Sequence, residues 1–274
     1  MENKVTFVKH LLKAISHGFW LGVLNRKDLW DIDYYYYAKL QKGYQDSAWN
    51  LTGLFEWEKI AIESYFKGCH SIMITGAGAG REAIALEKMG YAVDAFECNP
   101  DLVKSGNAIM KEIGINARLE LMPRDGCPEV AGQYDGIVLG WTMYMFIQEK
   151  KSRIEFLTDL HEKIRDNGPL LVSFYPRSHG SRYHSSIAKL ANSIKFILNR
   201  KPMEVGGDFV DVYNFGHYFT EDEIASEITE AGFQLAHYCA KEYKNLHNDK
   251  TSIYGWAVGI KKAEGSTNKT AIND

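Results

Sequence analysis

Gly76, Gly78 and Gly80 stand at alternate positions just after the apolar run Ile72-Met73-Ile74, and Glu97 closes a second apolar run, Ala92 to Phe96. Glycines so spaced let a backbone turn tightly and approach a ligand, because no Cβ intervenes. A helical pattern follows, Glu82 to Met89, with Ala83, Ile84, Ala85 and Leu86 apolar and Gly90 as its stop. The first turn of such a helix offers free N–H groups and a partial positive charge. An acid at the tip of the second strand can accept from both hydroxyls of a ribose. Strand, glycine turn, helix, strand and acid form a βαβ unit suited to a nucleoside.

Spacing separates the candidate nucleosides. A dinucleotide fingerprint places its third glycine at position 81, where this chain has Arg81, which argues against a Rossmann oxidoreductase using NAD(P). The run Gly76-Ala77-Gly78-Ala79-Gly80, with Glu97-Cys98-Asn99-Pro100 a helix and a strand later, resembles motifs I and II of the class I S-adenosylmethionine (SAM) methyltransferases. The resemblance covers about Glu58 to Lys262. It implies SAM as cofactor and S-adenosylhomocysteine as product. The turn Thr75, Gly76, Ala77, Gly78 and Gly80 would then face the methionine end, and Glu97, Cys98 and Asn99 the ribose. Many members carry an acid where this chain has Thr75, so a carbonyl or a residue of the N-terminal segment is expected to take that contact. Asp125 and Gly126, after the strand Ala117 to Met122, match the position that meets adenine. Tyr134 to Gly140 matches motif IV, which puts Gly140 and Trp141 at the mouth shared by cofactor and acceptor. The Asn-Pro-Pro-Tyr sequence of amino-group DNA and protein-glutamine methyltransferases is missing there.

These residues need an α/β frame to position them. Five strands alternate with helices, and Phe233 to Glu242 and Ser252 to Lys261 read as two more strands. Their short connection forces that last pair to be antiparallel. The expected fold is a Rossmann-like seven-stranded sheet, mostly parallel with an antiparallel terminal strand and helices on both faces. A helical cap is expected over residues 1–57, the methyltransferase domain over 58–262, an insert as substrate lid over 176–219, and a flexible tail over 263–274. In the cap, Val8, Leu11, Leu12, Ile15 and Phe19 fall on one helical face. An aromatic-dense stretch follows, in which Tyr44 and Trp49 are candidates to contact the acceptor through their ring faces.

The insert holds Arg177, Arg182, Lys189, Lys195, Arg200 and Lys201, with no acid from Asn167 through Met203. Such a segment at the mouth of the site suggests a rim that steers an anionic acceptor. Tyr175, Arg177 and His184 are therefore candidate acceptor contacts. His179, His217 and Tyr144 are candidate catalytic residues, since a hydroxyl or protonated amine needs a base.

Composition narrows the partners. A net charge of −3 with charged residues at 24% disfavours nucleic acid and membrane. Four scattered cysteines without a Cys-x-x-Cys pair favour reduced thiols in a cytoplasm, and no metal-ligand spacing is present. The leading expectation is a cytoplasmic monomer or homodimer that methylates oxygen or nitrogen of a small molecule, an anionic one being in view. RNA or protein methylation is the rival, and a SAM-binding protein without catalysis a further one.

Overall fold

The computed structural model describes residues 4–210, 214–246 and 250–263; the expected tail falls almost wholly outside them. The N-terminal part carries helices α1 (Lys4–Val23), α2 (Arg26–Tyr35), α3 (Ser47–Asn50) and α4 (Glu56–Tyr65). There follow strand β1 (Ser71–Thr75), α5 (Arg81–Lys88), β2 (Ala92–Glu97), α6 (Pro100–Glu112), β3 (Arg118–Leu121), β4 (Gly136–Leu139), α7 (Lys150–Lys163) and β5 (Pro169–Phe174). Helix α8 (Arg182–Ile197) and the strands β6 (Gly207–Phe209) and β7 (Phe215–His217) form the insert. Helix α9 (Glu221–Glu230) and strands β8 (Phe233–Lys244) and β9 (Thr251–Lys261) end the described chain.

The seven-stranded sheet runs β3-β2-β1-β4-β5-β9-β8. Pairs among the first five strands are parallel, and β9 lies antiparallel between β5 and β8. Strands β1, β4 and β5 are buried almost throughout, as strands covered by helices on both faces must be. One hydrophobic cluster joins α4, α5 and α6 to one face, and a second joins α7 and α9 to the other. Chain order reverses between β1 and β4, so a crevice opens beyond their carboxyl ends.

Local chemistry explains most boundaries. Thr220 and Glu223 cap the start of α9 reciprocally, and Asn25 and Asp28 do the same for α2. Asn99 caps α6, with Pro100 in its first turn. The glycine segments 206–208 and 214–217, which read as flexible turns, are instead paired as the β6–β7 hairpin.

In the cap, α1 packs with a face other than its large apolar stripe. Helix α1 buries Ala14 and Leu21, together with Gly18 and Gly22, and leaves Val8, Leu11, Leu12, Ile15 and Phe19 exposed. Its partner is α8. A Cβ on Gly18 would meet the Ile187 carbonyl and Leu190 at 3.0 Å, and one on Gly22 would meet Ile194 at 2.7 Å. Small residues let two helix backbones approach this closely. Cap and insert thus share a third cluster, Ala14, Leu21, Leu29, Ile187, Ala191 and Phe209. His17 clamps it, its Nδ1 lying 2.5 Å from an Asp208 carboxylate oxygen.

Candidate functional site

A cavity of about 380 Å³ opens beyond the carboxyl ends of β1, β2 and β4, within the range of small-molecule sites. Its floor is the glycine turn. Gly76, Gly78 and Gly80 all have positive φ, at 66°, 58° and 95°, a backbone that residues with a Cβ rarely adopt. A Cβ on Gly80 would lie 2.3 Å from the Met110 methyl, whereas one on Gly78 would meet nothing within 4 Å. Gly80 is therefore required for packing, and Gly78 keeps its bare backbone on the cavity wall.

Glu97, 6% exposed, braces that turn. One carboxylate oxygen accepts from the Gly78 N–H at 2.9 Å and the other from the Asn99 N–H at 2.9 Å. Burial pushes its pKa up, and the two N–H groups oppose that. A carboxylate has about four acceptor positions; the Cys98 thiol also donates, at 3.4 Å, to the oxygen that Asn99 holds, so three are used and one is left for a ligand, on the oxygen that accepts from Gly78.

Asp125 stands at the other end of the cavity with a left-handed backbone, φ 53°. It accepts from Arg26 of α2 at 2.9 Å, and the Arg26 guanidinium lies 4.9 Å from the Trp30 ring centre. Beside it Arg124 donates to Asp33 at 2.5 Å. Burial raises the pKa of both aspartates, and their arginines oppose that rise. Two arginine–aspartate pairs thus tie α2 across the cavity.

Aromatic rings form the opposite wall. Tyr44 lies 5.1 Å from Trp49 and 5.5 Å from Tyr37, and Trp49 lies 5.8 Å from Trp141. Tyr175 also lines the cavity and stacks on Tyr254 at 5.7 Å. The Trp141 indole N–H is buried without a partner. Under this wall Arg81, 2% exposed, donates to both oxygens of Glu58 at 2.7 Å, to Glu82 at 2.6 Å and to the Gly53 carbonyl at 2.8 Å. Glu82 in turn accepts from the Trp141 backbone N–H at 3.0 Å.

Of the residues selected from sequence, Gly76, Ala77, Gly78, Glu97, Cys98, Asn99, Asp125, Trp141, Tyr44, Trp49 and Tyr175 line this cavity. Thr75, Gly80, Gly126 and Gly140 sit behind the wall. The Thr75 hydroxyl is buried and unpartnered, and a Cβ on Gly140 would lie 2.0 Å from the Gly76 carbonyl.

Five candidates are not brought to the cavity. The Tyr144 hydroxyl donates to Glu227 at 2.6 Å, and Arg153 holds the same carboxylate at 2.7 and 2.9 Å, all deep in the core. His217 is buried at 3.8 Å from Glu204 and from Glu223. His179 is exposed beside Asp222 at 3.1 Å. Arg177 is spent on Glu223 and on the carbonyls of Tyr218 and Val205. His184 pairs with Ser181 at 2.9 Å and faces Asp208 at 3.9 Å. The remaining basic residues of the insert do not line the cavity either. Among the described residues, the only guanidinium groups that line it belong to Arg81 and Arg124, both paired with acids.

The sequence reading missed Arg26, Trp30, Asp33, Arg124 and the Glu58–Arg81–Glu82 cluster. The capping box at Asn25 was the available signal for α2. Nothing local in the sequence showed that α2 folds over Asp125.

No protein-family model matches the chain, and no curated protein matches it. Solved structures do. A SAM-dependent methyltransferase from Methanosarcina mazei superposes with a TM-score of 0.61 at 16% identity, over 77% of this chain and 100% of that one. The Burkholderia thailandensis 1,6-didemethyltoxoflavin-N1-methyltransferase gives 0.56 at 15% identity, over 87% of each chain. A SAM-dependent methyltransferase from Clostridium acetobutylicum gives 0.55 at 8% identity, over 76% of this chain and 91% of that one. With its strand order, reversed last strand and glycine turn, the chain has the fold of the class I SAM-dependent methyltransferases.

Proposed function

We propose that the protein is a SAM-dependent methyltransferase whose acceptor is a small planar molecule, methylated at nitrogen or at an ionised oxygen. The observation that carries this reading is the Gly76–Gly80 turn braced by buried Glu97 on the wall of an aromatic-lined cavity. These residues fit the cofactor. The bare backbone at Gly78 admits close approach, Glu97 keeps an acceptor position for a ribose hydroxyl, and Asp125 lines the cavity as an acceptor for an adenine amino group. Glu82 and Asp33 line the cavity and offer carboxylates in place of the acid that Thr75 lacks.

When bound, SAM supplies a methyl group already activated on a sulfonium. The chain's part is to hold and align the partners and to exclude water. The cavity lining contains no histidine or lysine among the described residues. Asp33, Asp125 and Glu82 are each engaged by an arginine. An acceptor that brings its own lone pair suits such a site better than one that needs a base. Ring nitrogens and acidic hydroxyls have that property. Tyr44, Trp49, Trp141 and Tyr175 offer flat faces for stacking a planar ring. The paired state of both lining arginines disfavours the anionic acceptor suggested by the insert's charge. The Burkholderia neighbour, named as a 1,6-didemethyltoxoflavin-N1-methyltransferase, is consistent with methylation of a small molecule at nitrogen.

Purified protein incubated with methyl-labelled SAM should transfer label to members of a panel of nitrogen heteroaromatics and acidic phenols. Transfer confined to RNA, to protein or to aliphatic carboxylates and phosphates would overturn the reading.

A further inference from the structure

The overall charge of −3 conceals a local asymmetry. Helix α1 packs on α8 through its small residues, so its large apolar residues face outward. Val8, Leu12, Ile15 and Phe19 recur at helical spacing and are 49%, 61%, 49% and 47% exposed. Phe7, Leu11 and Trp20 are also exposed. Helices α1 and α8 run in the same direction, since Gly18 meets Ile187 and Leu190 while Gly22 meets Ala191 and Ile194. Their C-terminal ends are therefore level, and Arg200 donates to the Val23 carbonyl there. At that end Phe196, Ile197 and Leu198 are exposed as well. An apolar stripe left open along a whole helix seldom lacks a use.

Charge selects the occupant. Helix α1 has Lys4, Lys9 and Lys13 and no acid; α8 and its continuation have Arg182, Lys189, Lys195, Arg200 and Lys201 and no acid. Lys9 and Lys13 each follow a stripe residue, Val8 and Leu12, which sets them at the edge of the apolar stripe. Both are exposed, and neither makes an ion pair among the described residues. Lys201 faces Glu149 at 3.9 Å. A second copy of this face would bring like charges together across the contact. An anionic lipid surface complements it instead: the apolar stripe enters the acyl boundary while lysines meet headgroup phosphates. Lysine stems can lie along the stripe with their ammonium groups at the headgroups. No helix among the described residues is long and apolar enough to cross a membrane.

We propose that the outward face of α1, with the exposed end of α8, docks the protein onto the surface of an anionic lipid bilayer. The stripe lies in the surface plane, and α1 stays packed on α8. This proposal does not depend on the methyltransferase reading.

The test is co-sedimentation of the full chain with sucrose-loaded vesicles of phosphatidylcholine alone or with 30% phosphatidylglycerol. The wild-type protein is expected to pellet with the anionic vesicles at least tenfold better than with the neutral ones, and to be released as salt rises. L12E/F19E and K9E/K13E should each lose at least tenfold in anionic-vesicle binding and keep the wild-type melting temperature. If a variant melts early, the salt series on the wild type decides, because release by salt needs no substitution. Equal pelleting with both vesicle types, or none with either, overturns the proposal. So does a wild-type dimer that L12E/F19E converts to monomer while anionic vesicles bind neither, which would assign the face to a second copy. Binding to RNA with indifference to vesicles overturns it too.

Discussion

Replacing Glu97 with glutamine perturbs the turn at one atom. The carboxylate accepts from Gly78 and Asn99, one N–H on each oxygen, both at 2.9 Å, and is almost wholly buried. In Glu97→Gln one oxygen becomes an NH₂ group, which faces a backbone N–H instead of accepting from it. One buried donor then has no acceptor, at a cost of about 1–3 kcal/mol to the ligand-free protein. On the ligand side, a charged acceptor for one ribose hydroxyl is lost, worth about 1.5–3 kcal/mol. At about 1.4 kcal/mol per tenfold, the dissociation constant should rise roughly tenfold to 150-fold. Calorimetry with S-adenosylhomocysteine and with adenosine reads this out, and thermal melting reads the stability term. Both ligands carry the ribose, so both should weaken by the same factor. Affinities within twofold of wild type, or a loss confined to S-adenosylhomocysteine, would refute the assignment of Glu97 to the ribose.

Four other variants probe separate parts of the account. Gly78→Ala, whose Cβ would point into open space at φ 58°, should cost about 1–2 kcal/mol in backbone strain and weaken S-adenosylhomocysteine binding in calorimetry. Gly80→Ala, aimed at Met110 from 2.3 Å, should melt lower still. Tyr144→Phe removes the donor to buried Glu227 and should cost about 1–2 kcal/mol with label transfer within twofold of wild type; a normal melt with lost activity would restore Tyr144 to catalysis. Burial lowers the pKa of His217 below its ordinary 6.5, and Glu223 sits at about 2 against an ordinary 4.5. Both groups bind fewer protons folded than unfolded, so their stabilisation is present at high pH and lost on acidification, His217 below pH 6.5 and Glu223 below pH 4.5. The melting temperature should fall from pH 7 to pH 5, and His217→Gln should flatten that slope; an unchanged slope would contradict the burial of a neutral imidazole.

What the sequence made legible follows from the range of each interaction. The βαβ unit is local: the glycines, the apolar run before them and Glu97 lie within one short stretch, so spacing alone brought Gly76, Gly78 and Glu97 to one cavity, whereas Asp125, a strand further on, was placed there only by the family resemblance. The antiparallel β8–β9 pair was legible for the same reason, since a short link permits nothing else. The insert was not. Its basic residues were visible, but Arg177 turns inward to Glu223, and the face α8 offers depends on α1, far away in the chain. Helix α1 itself was legible, but not the face it packs with. Helical periodicity found the larger apolar stripe, whereas packing chose the face with Gly18 and Gly22, because backbone approach to α8 needs small residues. Histidines near the expected mouth were attractive as bases, yet His184 and His217 serve polar clusters with Asp208, Glu204 and Glu223, and His179 is exposed beside Asp222. Trp49 and Trp141 came together at the cavity without any spacing rule that links them.

The most direct measurement is a calorimetric titration of the wild-type protein with S-adenosylhomocysteine, run beside NAD. The account expects saturable binding of one S-adenosylhomocysteine per chain and no heat from NAD. A folded sample silent to S-adenosylhomocysteine, or one that prefers NAD, would contradict it.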